Sequence, residues 1–165
     1  MKVAVKDANI LIDLVNGGLL ELCLRLPYEF VTTDLVLFQL EVESQWSAVQ
    51  PFVDSGALRT VSLTATEMEE VVADPIHFSL GLVDAQVLWL AAREKGILLT
   101  GDLPLRQEAE RRKVSVHGLL WILTQMVETG TIDPQMAAKA LRIMMAKGAR
   151  LPASECERLL REWEK

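Results

Sequence analysis

The chain has 165 residues, half of them hydrophobic, with 23 acidic against 17 basic side chains and a net charge of −6. This composition excludes a disordered chain and a protein that coats nucleic acid non-specifically, and it allows one domain with a sizeable core. A nuclease stays open, because a cation can offset local acid. No charge-free apolar run reaches the roughly 18–20 residues of a membrane span. The N-terminal stretch is broken by Asp7 and Asp13 and has no small-residue cleavage site, so a cytoplasmic protein is expected. Cys23 and Cys156 call for neither a disulfide nor a zinc site.

In chain order, KVAV at 2–5 reads as a buried strand, and Asp7 or Asn9 caps a helix that Gly17 and Gly18 stop. A short helix over about 18–25 ends before Pro27. EFVTT at 29–33 is a second strand, with Thr33 capping a helix over about 34–46. The next helix ends near Gly56 and has Pro51 as a kink point. A strand at 58–63 precedes a helix that opens with the capping-box spacing of Thr64 and Glu67. Ser79 is read as the cap of a long helix to about Lys95, closed by Gly96. GILLT at 96–100 is a strongly apolar strand, 103–113 a helix and VSV at 114–116 a strand. Helices at about 119–129, 134–147 and 154–164 follow, the middle one capped by Asp133 with Pro134 in its first turn. Strands alternate with helices through residue 116, so an α/β fold with a central parallel sheet between two helical layers is expected, with extra C-terminal helices. Residues 1–120 form its main body; 121–165 are a helical extension packed on the same domain.

Sites in open α/β sheets form beyond the carboxyl ends of the strands. Asp7 follows KVAV, Asp102 follows ILLT after Gly101, and Asp84 lies in the first turns of the helix feeding that strand. An unpaired carboxylate inside the apolar run IHFSLGLVDAQVLWLAA is costly. Three carboxylates meeting at one edge repel, and a hard divalent cation such as Mg²⁺ or Mn²⁺ is their natural companion.

The order DANILIDL, SLGLVDAQVLWLAA, ILLTGDLPLR, then an Ala-containing basic helix and VSVHG resembles PIN-domain proteins over roughly residues 1–120. The resemblance implies a three-layer α/β fold and a Mg²⁺- or Mn²⁺-dependent endoribonuclease, similar to toxins of bacterial toxin–antitoxin pairs. It implies RNA as substrate, with an antitoxin protein and a second copy of the chain as candidate partners. Asp7, Asp84 and Asp102 match its acidic positions, and Asn9 and Thr100 match polar positions beside them. One position departs: where the family carries a Glu in the helix after the second strand, VLFQL places Gln39. Glu43, one turn on, shares the face of Gln39, whereas Glu41 lies about 200° around the helix. Either Glu43 supplies the fourth carboxylate, or the site is one short, or Glu41 is the ligand in a shifted register. A PIN-like binding module without catalysis is the alternative reading. An aspartyl phosphotransferase is weaker, because position 9 is Asn rather than Asp.

Arg106 is the basic residue nearest the acids and is assigned to a substrate phosphate. Arg111, Arg112 and Lys113 read as a solvated helix end. His117 and His77 read as structural, and the four tryptophans as packing.

Overall fold

Val5 is wholly buried because its strand has neighbours on both sides, Val31 on one and Leu98 on the other. The computed structural model describes residues 2–42 and 45–165. In chain order the elements are β1 (Lys2–Lys6), α1 (Ala8–Asn16), α2 (Leu20–Cys23), β2 (Tyr28–Thr33), α3 (Asp34–Val42), α4 (Trp46–Asp54), β3 (Arg59–Val61), α5 (Ala65–Ala73), α6 (His77–Leu80) and α7 (Leu82–Arg93). They continue with β4 (Ile97–Leu99), α8 (Leu103–Arg111), β5 (Ser115–His117), α9 (Leu119–Glu128), α10 (Pro134–Ala146) and α11 (Ala153–Trp163). The described strands form a five-stranded sheet in the order β3-β2-β1-β4-β5, parallel throughout.

Right-handed crossovers in this order place the helices following β1 and β2 on one face and those preceding β4 and β5 on the other. The packing agrees. Helix α1 touches α2, α3 and α4, while α7 touches α5, α6 and α8 and lies across β1, β2 and β4. This is the three-layer α/β/α arrangement expected from the alternation. The C-terminal helices join the first layer: α10 packs on α1, α9 and α11. Leu141 and Met144 of α10 are fully buried in the same hydrophobic cluster as Val5 and Leu98. Gly17 lies against Met144, whose flexible end a Cβ at that position would have to displace.

Several local expectations are corrected. Ser79 does not cap the long helix. It lies inside α6, and Gly81, at φ +89°, breaks the chain before α7 begins at Leu82. The helix expected over 34–46 is described as α3 over Asp34–Val42, with residues 43 and 44 outside the described residues, and the helix expected next is α4, which runs through Pro51. The last strand starts one residue late. Lys113 takes a positive φ of 60° and Val114 N–H bonds back to the Ala109 carbonyl at 2.9 Å, so Val114 finishes the end of α8. His117 is therefore the last residue of β5, paired with Leu99. The capping box at Thr64 and Glu67 and the Asp133 cap form as expected.

Candidate functional site

The sheet order reverses between β1 and β4, one strand leading outward to β2 and β3 and the other to β5. A crevice at the carboxyl ends of two such strands is where open α/β sheets bind ligands. Three helices start at this edge, and each brings an acid. Asp7 caps α1, its Oδ1 accepting from Ile10 N–H at 2.9 Å. Asp102 caps α8, its Oδ2 accepting from Leu105 N–H at 2.9 Å. Asp84 sits in the first turn of α7. A helix start favours a carboxylate, which explains each residue locally. It does not explain why three such starts share one edge.

Thr100, fully buried just past β4, joins two of the acids. Its hydroxyl donates to Asp7 Oδ2 and accepts from the Asp102 N–H at 3.0 Å. Asp7 is only 3% exposed. Burial pushes its carboxyl up to about 6, the charges of Asp102 and Asp13 push the same way, and the bonds from Thr100 and Ile10 pull back. Asp84 is also pushed up to about 6, by burial first and then by Asp102 and Asp7. No lysine or arginine is among the groups that set either carboxyl.

Asp13 belongs to the same neighbourhood and was not singled out in the sequence. It is half-buried, and desolvation lifts its carboxyl to about 6. The signal was available: Asn9 and Asp13 are four residues apart in DANILIDL, hence on one helix face. Both line a groove of about 1150 Å³ with Asp102 and Arg106. Asn9 is exposed, and Arg106 makes only a loose pair with Glu110 at 3.6 Å. Glu43 lies outside the described residues. Gln39 and Glu41 are both exposed on α3.

Arg111 and Arg112 are helix-end residues, as read from the sequence, and both are engaged. They clamp Glu108, and Arg112 also reaches Asp74 at 2.6 Å. His117 is stacked on Trp121, with ring centroids 4.2 Å apart and planes 9° apart.

Among the described residues, no three His, Cys, Asp or Glu side chains are already gathered as a metal cage. Asp7 and Asp102 are instead turned to their helix caps and to Thr100. The donor chemistry still suits a hard divalent ion. The set is all oxygen, each carboxylate keeps unused lone pairs, and Asp102 pushes the carboxyls of both Asp7 and Asp84 up.

A family model described as a PIN domain matches residues 3–165, which includes the C-terminal helices. No curated protein matches the chain. With the all-parallel sheet and the acidic edge in place, the match is decisive for ancestry: the chain belongs to the PIN-domain family.

Proposed function

We propose that the protein is a Mg²⁺- or Mn²⁺-dependent endoribonuclease acting in the cytoplasm. The observation that carries this reading is that Asp7, Asp84 and Asp102, from three distant chain segments, stand at the carboxyl edge of the sheet near enough for Asp102 to push the carboxyls of Asp7 and Asp84 up. Membership in a family whose domains are generally metal-using nucleases supports it. Asp7, Asp84 and Asp102 would hold the ion, with Asp13 beside them and Glu43 as a further carboxylate. The chemistry such an ion supplies is acidified water at neutral pH and relief of charge on the scissile phosphate.

The protein's own part is positioning. Thr100 fixes the Asp7 carboxylate and, through the Asp102 N–H, the start of α8. Arg106, one turn into α8, lines the groove with Asp102 and would meet a substrate phosphate there. An antitoxin and a second copy of the chain are proposed as partners on family resemblance.

The test is cleavage of single-stranded RNA with Mg²⁺ or Mn²⁺, with chelator, and by the Asp84→Asn variant. Metal-dependent cleavage lost in the variant supports the reading; cleavage retained by the variant contradicts it. A binding module without catalysis is the second reading, favoured by Gln39 at an expected Glu position. It predicts RNA binding with no cleavage in either metal.

A further inference from the structure

The groove that begins at Asn9, Asp13 and Asp102 does not end there. It passes over the end of β5 to α9, and its far wall is the α10–α11 connection with the start of α11. At about 1150 Å³ it exceeds the roughly 300–1,000 Å³ of a small-molecule pocket.

In a protein that is net acidic its lining is balanced: Asp13, Asp102 and Glu155 are matched by three arginines. Arg106, Arg150 and Arg158 all reach it. Several arginines elsewhere are tightly held, Arg112 by Asp74 at 2.6 Å, Arg142 by Glu164 at 2.7 Å and Arg59 by Glu29 at 2.8 Å, whereas the exposed Arg25 has a looser partner at 3.4 Å. The groove arginines are not tightly held. Arg106 and Arg158 have only loose partners at 3.6 and 3.7 Å, each within its own helix, and Arg150 makes no ion pair among the described residues. Arginines spaced along one groove and left largely uncommitted suit a chain of phosphates. Between them the groove wall carries the stacked pair His117 and Trp121, both half-buried. Trp121 also packs on Tyr28, 6.0 Å away, which fixes it in place. A fixed, partly open aromatic pair beside cations is how single strands are gripped without reading sequence.

We propose that the C-terminal helices form one wall of the substrate channel: a single-stranded RNA leaving the acidic edge lays its phosphates along Arg106, Arg150 and Arg158 and one base against the His117–Trp121 pair. This rests on the ribonuclease reading for the choice of RNA, but it can fail separately. The two arginines from the extension, Arg150 and Arg158, are positioning residues in this arrangement. They hold the strand away from the chemistry.

The experiment measures binding of a fluorescein-labelled 12-nucleotide single-stranded RNA by anisotropy, in chelator and at low salt. It compares wild type, Arg150→Ala/Arg158→Ala, and a control of equal charge loss outside the groove, Arg25→Ala/Arg161→Ala. Arg150 and Arg158 are exposed, so the variant keeps its fold, and circular dichroism checks this. The groove variant is expected to bind about tenfold more weakly. Its salt dependence should lose about 1.4 in log–log slope, two phosphates at roughly 0.7 each. The control should stay within about twofold of wild type, as expected for weakly paired surface charges. Groove and control variants losing affinity equally, or neither losing any, overturns the proposal, as does a wild type that binds no RNA. A raised KM with unchanged kcat for the groove variant supports it further. RNA bound through Arg150 and Arg158 but never cut would sink the nuclease reading and leave the channel standing.

Discussion

Glu108 and Asp74 are paired with Arg111 and Arg112, and their carboxyls are held down, Glu108 to about 2. Asp7, Asp13 and Asp84 at the carboxyl edge have no such partner among the described residues and are pushed up to about 6. The residue types are the same and the directions opposite. The first group completes its own charge balance within the protein and so contributes to the fold. The second is left for something from outside to balance, at a cost to stability that a purely structural role would not justify.

The largest expected effect separates the two groups by activity. Asp7→Asn or Asp84→Asn should reduce Mn²⁺-dependent cleavage by at least about a hundredfold, beyond the 10–100-fold of a supporting residue. Glu108→Gln should leave the rate unchanged. Cleavage rates at saturating metal check both.

The next effect is on stability and concerns pH. The folded pKa of Asp7 lies above its unfolded value of 3.8, so the folded state holds the proton more tightly between pH 4 and 6. Stability of metal-free protein therefore falls as pH rises through that window and stays low above it. For buried Asp7 alone the loss is on the order of 2–3 kcal/mol. Asp7→Asn keeps a capping residue and removes the charge. In chelator at pH 8 it should be more stable than wild type by about that amount, with the difference vanishing below pH 4. Urea unfolding from pH 3.5 to 8 measures it.

A smaller effect is expected at Asp13, which borders the cluster without a described bond to it. Asp13→Asn should weaken Mn²⁺ binding and cleavage by about tenfold, through the loss of one nearby negative charge. An unchanged Mn²⁺ affinity would place Asp13 outside the site.

The smallest effect is at the paired group. Glu108→Gln should lower Tm by about 3 °C or less at pH 7, as befits a surface network. Its folded pKa lies below the unfolded value of 4.5, so the contribution is present above that pH and fades toward pH 2. The difference between variant and wild type should shrink accordingly in acid thermal melts.

The sheet was legible because apolar β-branched runs such as KVAV and GILLT can only be satisfied inside it, and caps such as Thr64 and Asp133 act locally. The break at Gly81 was missed because a helix cap was sought in Ser79, two residues earlier; a positive φ is a tertiary outcome that glycine permits but does not announce. Three acids of the candidate site were legible from strand ends and helix starts. Asp13 was overlooked: its spacing from Asn9 puts both on one helix face, but its burial beside Asp7 is a tertiary outcome that spacing does not report. Two of the three groove arginines were hidden for a similar reason. Arg150 and Arg158 lie beyond the acidic motifs in sequence, and only the packing of α10 on α1 brings them to the same groove.

Calorimetric titration with Mn²⁺ at pH 6 and pH 8, each in two buffers of different ionisation enthalpy, tests most directly whether the unpaired acids await a cation. Carboxyls poised near 6 must give up their protons to bind it. The account predicts binding at both pH values, with release of on the order of one proton per ion at pH 6, almost none at pH 8, and both signals reduced in Asp84→Asn. No binding heat, or binding at pH 6 without proton release, would contradict it.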